Sequence, residues 1–109
     1  MAKDRKLLEA AAKAAGYECA WSDSRQGFFF GLGSYTPQYW NPLSNDGDAL
    51  RLAVALKIPL QFPDWQDIAR TWGREDDGDG FIEPALQHNG DLAVATRRAI
   101  VRAAAAMAG

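Results

Sequence analysis

The chain has 109 residues, 48% of them apolar and 24% charged, and a formal net charge of −2. That length suits one domain, able to bury roughly two thirds of its unfolded surface in a modest core. The near-neutral balance excludes a global basic field that would draw nucleic acid or anionic lipid, so neither a nucleic-acid partner nor a membrane is expected.

A lone cysteine, Cys19, excludes an intrachain disulfide and fits a reducing interior. The charged start runs into an alanine-rich amphipathic stretch rather than a signal-peptide core. No apolar run approaches the ~20 residues that span a bilayer. A cytoplasmic protein is expected.

Residues 3–15 are strong helix formers, with Leu7, Leu8, Ala11 and Ala15 on one face. Glu9 and Lys13 make a favourable i,i+4 pair, and Gly16 suits the position just past the helix. The period then changes to two. Tyr17, Cys19 and Trp21 alternate with Glu18 and Ala20, which predicts a half-buried strand. Asp23–Gly27 is turn chemistry, and Phe28–Leu32 reads as the returning strand of a hairpin.

Residues 34–45 carry two prolines and read as a long loop. A helix is expected over 47–57, capped by Ser44, Asn45 or Asp46, with Asp46 and Asp48 at the positive end of its dipole. Its body is apolar almost all round, Arg51 excepted, which predicts a central, buried helix. Ile58–Phe62 reads as a short edge strand because of Pro59.

Residues 64–72 fit a helix that packs Trp65, Ile68 and Trp72 together. The alternative is a strand entering an acidic turn, with Phe81, Ile82 and Glu83 returning. Gln87–Gly90 reads as a loop, and residues 91–107 as the last helix, started by Asp91. The whole predicts an α+β domain, 1–109. A small antiparallel sheet led by the 17–33 hairpin is packed by helices near 3–15, 47–57 and 91–107.

The run Glu75–Glu83 imitates a calcium-binding EF-hand loop. With Gly80 at the sixth position, Glu75, Asp77 and Asp79 fall at the first, third and fifth. The twelfth position, which should supply a bidentate glutamate, is Leu86, and Pro84 stands where the second helix should start. The loss removes two of about seven ligand oxygens. A solvated turn with Gly78 and Gly80 at positive φ is the better reading, and no metal or cofactor is expected.

His88 is the single histidine, and no nucleophile elbow is present, so it reads as an exposed loop residue and no catalytic residue is assigned. Cys19 reads as a small buried hydrophobe. Arg97, Arg98 and Arg102 read as a solvated basic face near the negative end of the last helix, with carboxylates elsewhere as internal partners in reserve. Trp40 lies in a loop with Tyr35 and Tyr39, the composition of an interface hot spot. The plainer reading of Trp40 is a cover that seals the central helix against the sheet. A partner-binding surface is therefore assigned to Tyr35, Tyr39, Trp40 and Asn41 with the acidic Asp76, Asp77 and Asp79. The alternative is a nucleotide held between Trp40 and the arginines Arg98 and Arg102; a calcium-dependent protein or hydrolase using the acidic loops is the third reading.

The run Tyr39–Leu56, YWNPLSNDGDALRLAVAL, resembles a pattern of short phage and prophage proteins of proteobacteria: YWNPL, two variable residues, then DGDALRLAV. In that family a stretch similar to Ala95–Ala104 follows near the C-terminus, and the alanine-rich start with Gly16 and Tyr17 is also similar. Residues 58–90 share nothing with it. The resemblance implies a phage accessory product acting inside the host cell. Proteins of that kind bind and block or modulate a host protein, antiviral defence complexes included. It carries over no functional residue.

Overall fold

A computed structural model describes residues 2–31, 33–63, 67–71 and 80–108. Helix α1, Ala2–Ala15, has Asp4 in its first turn and Lys13 in its last, both favourable to the helix dipole. It buries Leu8, Ala11 and Ala12. Gly16, at φ +74°, ends it. The Tyr17 amide donates to Ala12 O at 2.9 Å and the Gly16 amide to Lys13 O at 3.1 Å, the double closure that a left-handed residue allows.

Strands β1 (Cys19–Ser22), β2 (Gly27–Phe30) and β3 (Gln38–Trp40) form an antiparallel sheet in that order. Trp21 lies opposite Phe28, which lies opposite Trp40. These three rings, with Tyr17 and Phe30, interlock edge to face at centroid distances of 5.2–6.5 Å. Such pairs add about 0.5–1.5 kcal/mol each beyond the area they bury. β3 corrects the reading of residues 34–45 as all loop: the strand exists through its pairing with β2.

Helix α2, Asp46–Leu56, is capped by Asn45, whose side chain accepts from the Asp48 amide at 2.8 Å. It buries Asp48, Ala49, Leu52 and Ala53. The expectation of a fully buried helix fails on its other side, because Leu50 is 64% and Val54 67% exposed.

The second sheet, β4 (Leu60–Gln61), β5 (Ile68–Thr71) and β6 (Phe81–Pro84), is also antiparallel and in that order. Residues 68–71 are thus strand, not helix, and Phe81 returns opposite Thr71. Residues 64–66 and 72–79 lie outside the described residues, and with them Trp65, Trp72 and the acidic loop. A 3₁₀ turn, Ala85–His88, replaces part of the expected loop.

Helix α3, Leu92–Ala106, is capped by Asp91, which accepts from the Val94 amide at 3.1 Å. It is the central element in place of α2, since it packs on α1, α2, β5 and β6. Small side chains permit that crowding: Ala95, Ala99, Val101, Ala103 and Ala104 are wholly buried. Thr71 Oγ1 ties β5 to it by donating to Ala99 O at 3.1 Å. The α+β class is as expected, but the single antiparallel sheet of the expectation is two separate three-stranded ones. No helix among the described residues is long and apolar enough to cross a membrane.

Candidate functional site

The junction between β3 and α2, within the Tyr39–Leu56 run, is densely hydrogen-bonded. The Asn41 amide donates to Asp48 Oδ2 at 2.9 Å, and Asn41 Oδ1 accepts from the Leu43 amide at 2.9 Å. Asn41 O accepts from the amides of Ser44 and Asn45 at 3.1 and 2.9 Å. Asp48 Oδ1 takes a second donor, Arg51 Nη2, at 2.7 Å. From α3, Arg97 Nε donates to Leu43 O at 2.9 Å and Nη1 to Asp46 Oδ1 at 2.6 Å. Pro42 is fully buried beneath. These bonds consume the polar groups of the motif in fixing where α2 starts.

Of the expected contact residues, Trp40 is 3% exposed and belongs to the core. It is the cover over the sheet, and its ring offers no face to a partner or a base. Tyr35 is fully exposed and Tyr39 half-exposed. Tyr39 packs its ring on Phe29 at 5.3 Å and accepts from Asn41 Nδ2 at 3.0 Å through its hydroxyl. It also covers Gly27 so closely that a Cβ there would run into the ring. Arg25 stacks on Phe29 from the turn, 5.3 Å from the centroid. Tyr35 and Tyr39 are thus presented, and Tyr39 is held in place. Asp76, Asp77 and Asp79 lie outside the described residues; Gly80, at their edge, has φ +76°, the sign expected of that turn.

The three arginines of α3 do not form a free basic face. Arg97 is bound at the junction, Arg98 Nη1 donates to Asp4 Oδ1 at 2.8 Å, and Arg102 Nη1 donates to Glu83 Oε2. With Trp40 buried, the aromatic–arginine clamp for a nucleotide does not assemble from Trp40, Arg98 and Arg102.

His88 is no exposed loop residue. Its Nε2–H donates to Glu83 Oε1 at 2.7 Å, and its side chain is largely buried. Glu83, buried on β6, therefore sits between His88 and Arg102, whose guanidinium also lies 5.0 Å over the Phe81 ring. A carboxylate orienting a histidine is one ingredient of nucleophilic catalysis. Here the second carboxylate oxygen is taken by Arg102, and the nearby buried hydroxyl of Thr71 is spent on Ala99 O. The cluster ties β6, the 3₁₀ turn and α3 together. Sequence spacing gave no sign of it, because Pro84 and the tight turn fold His88 back onto Glu83.

Burial pushes the Cys19 thiol above its ordinary range, partly opposed by a hydrogen bond to its own backbone; that is the direction of an inert thiol, not a nucleophile. Among the described residues no group of three or more His, Cys, Asp or Glu side chains is placed to hold a metal ion.

A second surface was missed in the sequence. Leu50, Leu60, Phe62, Leu92 and Ala93 line an open, apolar groove of about 390 Å³ between α2, β4 and α3. The signal that could have found it was Leu50, two residues and so about 160° around the helix from the buried Leu52.

No protein-family model matches this chain, and no curated protein or solved structure shows significant similarity to it.

Proposed function

We propose that this chain is a phage or prophage accessory protein that binds a host protein, an antiviral defence complex being the target class, and inhibits or modulates it by surface complementarity without catalysis. The observation that carries the reading is the presentation of Tyr35 and Tyr39. Tyr35 stands fully in solvent and Tyr39 is half-exposed yet pinned against Phe29, Gly27 and Asn41. Tyrosine is enriched at interface hot spots, and a ring already ordered loses less entropy on binding, by about 0.5–1.5 kcal/mol per immobilised side chain. The resemblance of the Tyr39–Leu56 run to phage proteins supplies the biological setting.

The test is affinity capture from a lysate of the native host with the wild type and with Tyr35→Ala/Tyr39→Ala. The reading expects one stoichiometric host protein on the wild type and at least a tenfold weaker complex with the variant, circular dichroism showing both folded at the assay temperature. Capture untouched by the double substitution refutes the assignment of the surface. A small-molecule adduct in native mass spectrometry, with no protein partner, refutes the function.

A further inference from the structure

The exposed side of α2 carries a pattern that matches itself when reversed. Asp46, Leu50 and Val54 are four residues apart, so they fall within about 80° of one another around the helix, and the exposed Lys57, which ends the helix in the left-handed conformation at φ +53°, follows three later. Leu50 and Val54 are both mostly exposed, and neither packs into the core described above. The midpoint of this apolar pair is level with Leu52. Asp46 lies roughly 9 Å before it along the axis and Lys57 roughly 7.5 Å after it.

We propose that this stripe is the interface of a symmetric dimer, in which α2 packs antiparallel on α2 of a second copy of the chain. A twofold axis through the level of Leu52 sets Leu50 against the partner's Val54, at the mouth of the groove lined by Leu60 and Phe62. The same operation brings Lys57 to the partner's Asp46. The opposed helix dipoles reinforce that pairing, because each positive N-terminus meets a negative C-terminus. An isologous contact needs this self-complementarity, residue i on j and j on i. Asp46 also has capacity for it: its side chain is 81% exposed, and among the described residues Arg97 bonds it through Oδ1 alone.

The contact is small. An exposed patch of this kind spans on the order of 300–600 Å², against about 800 Å² per partner in a standard interface. The dimer is accordingly weak, and weakens further as salt screens the end charges. The surface uses none of the residues assigned to host binding and stands or falls apart from them.

Sedimentation equilibrium of the full chain from ~5 to ~500 μM tests it. The weight-average mass should climb from the monomer's 11.9 kDa towards twice that value. Leu50→Glu should hold the chain monomeric over the whole range with an unchanged melting temperature, because Leu50 is not a core residue. Lys57→Glu should weaken association about fivefold or more by setting like charges together. Adding Asp46→Lys to it should recover association, since in a twofold dimer the double reversal restores both pairs. A monomer at 500 μM overturns the proposal. So does a dimer indifferent to Leu50→Glu, or a folded double reversal that associates no better than Lys57→Glu alone.

Discussion

Arg102→Ala should be among the more damaging single substitutions on the surface of this protein, and the structure says why. Glu83 is 8% exposed by its side chain and has two partners, His88 and Arg102. Removing one member of a buried pair costs about 3–5 kcal/mol, because a charge is left buried and under-compensated. Two features lower that figure here. Arg102 is 39% exposed, so solvent already screens its end of the pair, and His88 remains on the other carboxylate oxygen. About 2 kcal/mol is left. The contact of the guanidinium with Phe81 adds about 0.5–1 kcal/mol. The sum is about 2–3 kcal/mol, or a melting temperature lower by ~10 °C for a domain of this length. The control is Arg98→Ala. Its partner Asp4 is 42% exposed by its side chain, where Glu83 is 8%, so the carboxylate left behind is solvated and the loss should cost under ~1 kcal/mol. Urea unfolding of the two variants at pH 7 decides it. If Arg102→Ala costs no more than Arg98→Ala, the buried carboxylate is not being held as described.

Asn45→Ala removes the cap of α2 and should cost about 1 kcal/mol in urea unfolding; Asp48→Ala should cost more, about 2 kcal/mol, since it also frees the Asn41 amide and Arg51. Gly27→Ala should destabilise by about 1–2 kcal/mol through collision with the Tyr39 ring, and the cost should largely vanish in a Tyr39→Ala background, measured as a double-mutant cycle. Cys19 should react with a thiol-specific disulfide reagent at pH 8 at least tenfold more slowly in the folded protein than in urea, because burial raises its pKa and leaves less thiolate at a given pH.

Where the buried face of an element was the more apolar one, its sequence declared it. α1 and β1 follow the periods read from their residues, and α3 starts after the Asp91 cap read for it. β5 did not, and the reason is the closeness of α3. Its inward residues are Ala69 and Thr71, small enough to lie against Ala99, while Ile68 and Arg70 are less buried. The alternation was present but inverted in hydrophobicity, and the spacing of Trp65, Ile68 and Trp72 imitated a helix instead. α2 misled in the opposite way. A helix apolar all round reads as buried, yet its small residues Ala49 and Ala53 face the core and its larger Leu50 and Val54 face out. In both places the identity of the central helix decided the outcome. α3 is built for contact on several sides by alanine, and alanine carries little signal in a hydrophobicity pattern.

The same accounting separates architecture from recognition within the Tyr39–Leu56 run. Asn41, Asn45, Asp48 and Arg97 exchange hydrogen bonds that set the start of α2, Pro42 and Trp40 are buried under them, and Leu52 fills the core. Of these, Trp40, Pro42, Asp48 and Leu52 are buried and cannot contact a partner without first leaving the fold. What the run leaves unexplained by the fold is the Tyr39 ring on one side and Leu50 with Val54 on the other. An exposed leucine and valine one turn apart lose nothing in stability when made polar, so a purely architectural segment has no physical use for them. Tyr39 is different, because its ring covers Phe29 and its cost of removal mixes packing with any binding role. Leu50 and Val54 are therefore the cleaner probe of function in this molecule: substitutions there test association while leaving the core, the junction and the Glu83 cluster as they are.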